Sequence, residues 1–369
     1  MNSVKVIAMY LPQYHQIPEN DEFWGRGYTD WVSVKKAKPQ YRGHVEPRIP
    51  LNDNYYDLAK KENVAWQAKI AKEHGVEGFG IYHYWFNNEK NLLTKPSQII
   101  LENKDIDIDF MFVWDNSCWK RSWSNVKGND WSSLEENQAE HKGPAILIPY
   151  ILGTEKDWEN HFNYLLPFFK DQRYIKKDNR PVFMIFNYDS DIEKMSEYWD
   201  KLAKKNGFDG IYVIYRYYFK SRIPSHLNRY EYQPHGASWW SGLTFKRVYY
   251  KILSMLKIDG LQIYNYDKVW KRILETARKR KAPNFYHGGF VDYDDTPRRG
   301  PKAKIIKRGT PRKFRKYMSE LLSVSKQQKK EWVFVTAWNE WGEGAYLEPD
   351  TINKYAYLDA LKQAVEDNK

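Results

Sequence analysis

Glu340 and Glu343 stand three residues apart where an apolar, β-branched run, Trp332–Trp338, leaves off, and Trp338 and Trp341 flank Glu340. Two carboxyls delivered to one spot supply the acid and the base that split a glycosidic bond. Indole plates beside them suit the apolar C–H faces of sugar rings. Gly342 and Gly344 permit a tight turn that aims both acids at one point. Either acid can instead be structural, paired with an arginine from a neighbouring loop.

Something must carry those acids to a common place. Eight apolar runs read as strands: Val4–Tyr10, Gly78–Trp85, Ile108–Asp115, Pro181–Asn187, Gly210–Arg216, Glu231–Ala237, Asn284–Asp292 and Trp332–Trp338. A ninth run, Ala145–Leu152, is surplus and belongs inside the connection before Pro181. Helical patterns fall at Val64–His74, Asp157–Phe169, Asp191–Asn206, Tyr266–Lys281, Pro311–Lys326 and Ile352–Glu366. Strand–helix alternation repeated eight times predicts an α/β fold, a (β/α)8 TIM-type barrel, as a single domain over residues 1–369. Such a barrel carries its active site at the strand C-terminal ends, and these ends hold the polar and aromatic clusters. A doubly wound sheet is the rival, but its glycine-rich nucleotide loop is missing. The long first connection, Leu11 to Tyr56, reads as a flap over the barrel mouth.

The first loop offers Tyr10, His15, Trp24 and Trp31 as substrate contacts. Along the second strand, residues two apart share a face, so either Tyr82/Tyr84 or His83/Trp85 looks inward. His83 or Trp85 is expected near the sugar, with Tyr82 in the same contact set. Trp114 and Asn116 end the third strand, and Trp338, Asn339 and Trp341 surround the acids. Asp292, Asp294 and Asp295, ahead of Arg298 and Arg299, read as an Asp–Arg network that holds the site open, or as groups that bind substrate.

No metal ligand set is expected. Asp105-Ile-Asp107-Ile-Asp109 and Asp189-Ser-Asp191 match the Asp-x-Asp of metal-dependent glycosyltransferases only formally. The first precedes a strand and the second starts a helix. No cofactor is implied. The lone cysteine, Cys118, cannot form an internal disulfide.

The chain has 369 residues, a net charge of +12, and 16 Trp, 29 Tyr and 17 Phe. Some of these rings must be core, and the excess suits a carbohydrate cleft. The positive balance is ordinary solubility or an attraction to an anionic glycan or a peripheral membrane surface. Without a zinc-finger, RNP or helix-turn-helix pattern, it does not argue for nucleic acid. No stretch is long enough for a membrane span or a signal peptide, so a cytoplasmic place is expected.

Asn339-Glu340-Trp341-Gly342-Glu343-Gly344 resembles the Glu-Trp-His-Glu motif of glycoside hydrolase family 99, the endo-α-mannosidases and endo-mannanases, with glycine in place of histidine. The chain as a whole is similar to the WbsX-type group, family-99-like proteins found among bacterial surface-polysaccharide biosynthesis genes. The stretches that carry this are Tyr10–His15, Glu19–Gly25, Val34–Pro39, Pro47–Leu51, Glu77–Asn87 and Asp294–Gly300. Relatives show Trp-Ala-Asn-Glu where this chain has Trp114-Asp115-Asn116-Ser117, a second departure. The resemblance implies retaining hydrolysis of an α-mannoside-like linkage without a protein nucleophile. Glu340 would deprotonate the sugar 2-hydroxyl, which attacks C1 to form a 1,2-anhydro sugar. Glu343 would protonate the leaving oxygen and then activate water. The substrate implied is a polysaccharide or oligosaccharide. The alternative is a glycosyltransferase of O-antigen or capsular polysaccharide synthesis. A lectin-like barrel without turnover is a third reading, against which both intact acids argue.

Overall fold

Eight strands pair in parallel: β1 (Lys5–Tyr10), β2 (Gly78–Asn87), β3 (Asp109–Trp114), β4 (Arg180–Ile185), β5 (Tyr212–Tyr217), β6 (Asn228–Glu231), β7 (Phe285–Phe290) and β8 (Trp332–Thr336). Each pairs with its successor in the chain, and β8 pairs with β1, so the sheet closes on itself. The computed structural model describes residues 3–120, 146–218, 221–240, 244–255 and 260–369. The barrel is the expected (β/α)8 architecture.

Closure explains why the strands were legible. A parallel strand is covered on both faces and reads as a continuous apolar run. In β1 the five residues Val6–Tyr10 are all buried, and in β8 all five are. Outer helices follow: α1 (Lys61–Glu73), α2 (Lys95–Glu102), α3 (Glu155–Phe169), α4 (Ser190–Lys205), α5 (Tyr266–Lys279), α6 (Pro311–Gln327) and α7 (Ala356–Glu366). Their starts are set by side chains. Asp189 accepts from the Asp191 and Ile192 N–H groups and caps α4, so this Asp-x-Asp is a helix start. Thr310 accepts from Lys313 N–H ahead of Pro311 and caps α6.

Several boundaries differ from the sequence reading. The sixth strand is Asn228–Glu231, not Glu231–Ala237. Pro234 has no N–H to give a ladder, and Gly236–Trp240 winds into a single π-helical turn instead. Helix α2 was not anticipated, nor was helix Thr244–Met255 in the β6–β7 connection. The last helix starts at Ala356 rather than Ile352. The surplus run forms Ile146–Ile148, which pairs antiparallel with Trp119–Lys120 in the β3–α3 connection, where it was expected.

Side-chain alternation sorts the barrel into an inner lining and an outer layer. Tyr230, Tyr286 and Phe334 meet inside the barrel. On the outside, Phe112, Phe183 and His83 pack against α3 and α4 through His161 and Trp199. The first connection folds over the mouth. Its helix Asp30–Lys36 brings Trp31 to 5.5 Å from Trp341, and its Leu11 backbone is held on both sides by the Asn339 amide.

Candidate active site

Beyond β8 the chain makes a minimal hairpin. Asn339–Glu340 pairs antiparallel with Ala345–Tyr346, and Trp341–Glu343 between them form one 3-10 turn. Glu340 is the last strand residue before the turn and Glu343 the last residue within it, and both open on one cavity. Gly344 closes it at φ 56°, and a Cβ there would stand 3.0 Å from Arg48 Cζ and from Asp294 Cβ. The Asp294 N–H donates to the Glu343 carbonyl at 2.7 Å, and Tyr14 Oη donates to the Asn339 carbonyl at 2.6 Å.

Both acids line a cavity of about 210 Å³ at the strand C-terminal ends, with Tyr82, Tyr84, Asp115, Phe186, Arg216, Tyr232, His235 and Arg298 among its walls. Arg298 is the central charge. Its Nη1 donates to Glu343 at 2.9 Å, and its Nη2 to Glu340 and to Asp30, each at 3.2 Å. The neighbouring-loop arginine anticipated for a structural acid therefore exists, yet it grips both acids and leaves open space before them. The second Glu343 oxygen is buried and has no hydrogen-bond donor among the described residues.

Burial pushes the Glu340 carboxyl up to about 8; Arg298 opposes the rise, and Glu343 and Asp30 add to it. Burial likewise raises Asp295, a wall residue, to about 6 although Arg299 sits 2.9 Å away. His235 is held neutral, its pKa well below the ordinary value, by burial and then by Arg216 and other nearby cations. Arg216 lies 4.0 Å over the Phe186 ring and donates to Asn187 Oδ1 at 3.2 Å.

Of the residues named from sequence, Glu340, Glu343 and Tyr82 reach the cavity, joined by Tyr84 and by Asp295, Arg298 and Arg299 of the Asp–Arg network. The expectation that His83 or Trp85 faces the mouth is not met. Their register turns them outward, where His83 Nε2 lies 2.8 Å from His161 Nε2 and Trp85 stacks on His161 at 4.4 Å. Burial holds His83 neutral, with its pKa near 3. The indoles and amides near the acids turn out to be framework. Trp341 stacks on Tyr346 at 3.7 Å and donates to Glu348 at 2.6 Å; Trp31 donates to the Tyr56 carbonyl. Trp338 packs on Phe79, Trp114 donates to the Trp85 carbonyl, and Asn339 pins Leu11. Asn116 exchanges hydrogen bonds with the Asn187 backbone and so splices the ends of β3 and β4. Tyr10 donates to Gln67 of α1, Trp24 packs between Tyr28 and Trp119, and His15 is buried away from the cavity walls.

Sequence reasoning passed over Gln13, Arg216, Tyr232 and His235 as wall residues. Arg216 was visible as a charge at the end of a strand, and Tyr84 follows from Tyr82 by alternation. Tyr232 and His235 were hidden inside the misplaced sixth strand.

Among the described residues one group, His44, Glu46 and Asp294, brings possible metal-ligand atoms within 4.8 Å of one another. Its hydrogen bonds do not fit an ion. His44 Nδ1 accepts from the Gln40 N–H at 3.0 Å, so the proton is on Nε2, which donates to Asp294 Oδ2 at 2.7 Å. A metal-bound histidine needs its free nitrogen to be the donor. Arg48 Nε, 3.5 Å from Glu46, supplies the positive charge there.

Residues 6–361 match the profile of the family described as Glycosyltransferase WbsX. Two strains of Xanthomonas campestris pv. campestris carry a protein named Uncharacterized protein WxcX that is 28% identical over 98% of this chain. The chain spans 49%, about half, of the length of these curated relatives. Among solved structures, the GH99 endo-alpha-mannosidase from Bacteroides thetaiotaomicron superposes with a TM-score of 0.57 at 13% identity, over 98% of this chain and 96% of that one. A glycoside hydrolase-like protein gives 0.61 at 11% identity, over 100% and 95%. At such identities the likeness is one of fold.

Proposed function

The chain belongs to the WbsX family, and from that premise we propose that it is a glycoside hydrolase acting on α-mannoside-like linkages of a bacterial surface polysaccharide, with Glu340 and Glu343 as its acid–base pair. The observation that carries this reading is the pair of acids facing one cavity under a single guanidinium. One Arg298 reaches both, which keeps the carboxyls below the roughly 9.5 Å upper limit for glycoside-cleaving pairs. Tyr82, Tyr84, Phe186 and Tyr232 add rings and hydroxyls of the kind that hold sugars.

In the route the family-99 resemblance implies, the substrate 2-hydroxyl loses its proton to Glu340 and attacks C1 as Glu343 protonates the departing oxygen. The bond to the leaving sugar breaks, a 1,2-anhydro ring forms, and water opens it with retention. The electrostatics favour a different resting state, since burial keeps a proton on Glu340 at neutral pH. The two roles are separable. Glu343→Gln is expected to abolish hydrolysis of mannan-type oligosaccharides while sugar binding persists. If Glu343 is the acid, an aryl glycoside with a good leaving group restores cleavage in Glu343→Gln but not in Glu340→Gln; the reverse rescue exchanges the roles. Wild-type turnover in Glu343→Gln would sink the pair altogether.

A second reading, glycosyl transfer, is favoured by the family's own description. The same cavity would then take an activated donor, and product would grow rather than shorten. Chromatography of an oligosaccharide incubated with and without nucleotide sugars separates the two.

A further inference from the structure

The β6–β7 connection that sends Tyr232 and His235 into the cavity continues into helix Thr244–Met255. Phe245, Val248, Tyr249 and Ile252 on this helix are 93%, 53%, 57% and 49% exposed. Their spacing of three, four and seven residues from Phe245 places them on one stripe of an α-helix. The helix is tied down elsewhere. Tyr250 Oη accepts from the Ile263 N–H at 2.9 Å, and its ring lies 6.0 Å from Tyr264. So a contiguous apolar stripe, including two aromatic residues, faces water on an element tied to strand Gln262–Asn265 of the same connection.

The same twelve-residue helix carries Lys246, Arg247 and Lys251 and no Asp or Glu, in a chain of net charge +12. An apolar stripe on a short helix with cations and no acids is the composition of a helix that lies in the headgroup layer of an anionic bilayer. A second copy of the chain is a poorer occupant. In a two-fold contact the helix would meet its own equivalent and bring like charges together.

We propose that helix Thr244–Met255 docks the protein on an anionic lipid surface, with Phe245, Val248, Tyr249 and Ile252 entering the headgroup boundary on the mouth side of the barrel. This stands on the helix and not on the hydrolytic reading. It is tested by sedimenting the full chain with vesicles of phosphatidylcholine alone and of an equimolar phosphatidylcholine–phosphatidylglycerol mixture. Binding is expected to the mixed vesicles and to weaken as salt rises. The double substitution Phe245→Asp/Ile252→Asp is expected to lower it about tenfold or more. An environment-sensitive probe on Ile252→Cys, in a Cys118→Ser background, gives an independent reading: its emission is expected to shift to the blue on mixed vesicles. Absence of binding to the mixed vesicles, or equal binding by the double variant, overturns the proposal. So does self-association in the ultracentrifuge that the double variant abolishes, because the stripe would then be covered by a second copy.

Discussion

Gly342 and Arg298 share one space: a Cβ built on Gly342 would lie 2.6 Å from Arg298 Nε and 2.5 Å from Asp30 Oδ2. The guanidinium that reaches both acids occupies the room that any side chain at 342 requires. The glycine and the arginine here form one unit. Gly342→Ala is therefore expected to push Arg298 off the acids. Overpacking of this kind costs about 1–3 kcal/mol, visible as a lower melting temperature, and hydrolysis should fall with it. Arg298→Ala should remove activity by itself. If the two share a cause, the double variant loses less than the summed effects of the single ones. An unchanged melt and rate in Gly342→Ala would show that Arg298 does not depend on that space.

The Glu340 carboxyl, raised to about 8 chiefly by burial, ties the pH response to its role. As the base of the family-99 route it must first lose its proton, so kcat/KM is expected to rise with an apparent pKa near 8; with the roles exchanged and Glu340 the acid, kcat/KM falls through the same pH. Stability has one direction. A carboxyl raised in the folded chain favours folding fully below its unfolded value, and that contribution is lost as pH rises through about 8. Glu340→Gln should flatten the fall in melting temperature between about pH 4.5 and about 8. A wild-type rate level through pH 9 would contradict this assignment.

How much was legible in the sequence follows from which forces act locally. Parallel strands buried on both faces left apolar runs, so the barrel and the position of the Glu340–Glu343 turn at a strand end could be read. Strand β6 left almost none, because Asn228-Arg229-Tyr230-Glu231 is short and polar. Arg298 was noticed beside its aspartates, but its grip on Glu340 and Glu343 depends on β7 and β8 being neighbours in space. The error at His83 and Trp85 is of another kind. Alternation allows two registers, and a one-residue change exchanges the faces; only the position of α3, which offers His161 and Tyr164, selects between them. The indoles were overread as a sugar platform because a large ring beside an acid looks alike in sequence whether it stacks on substrate or fills the space beneath the turn.

Glu348 is the support of the Glu340–Glu343 turn. It accepts from Trp341 Nε1 at 2.6 Å, Tyr56 Oη at 2.7 Å and Gln67 Nε2 at 2.7 Å, and Tyr10 in turn donates to Gln67. Burial raises it to about 7 in spite of those donors. Glu348→Ala leaves three buried donors without an acceptor, at about 1–3 kcal/mol each, so a loss of about 3–5 kcal/mol in denaturant unfolding is expected after partial relaxation. Glu348→Gln keeps the shape and should cost much less. An alanine variant as stable as wild type would mean that water or a neighbour takes over all three bonds.

Tyr84 and Trp85 are adjacent in β2 and face opposite ways, Tyr84 into the cavity and Trp85 onto His161 of α3. Their substitutions should therefore separate binding from stability. Trp85→Ala removes a half-buried indole from between barrel and helix and is expected to cost about 2–4 kcal/mol, with KM for a cleaved oligosaccharide unchanged in the folded fraction. Tyr84→Phe removes a hydroxyl at the cavity wall and should leave the melting temperature within about 1 °C, since it empties no volume, while raising KM. The decisive measurement is KM and melting temperature on both variants side by side. An increase in KM confined to Trp85→Ala would return the indole to the substrate and place the cavity on the wrong side of the strand.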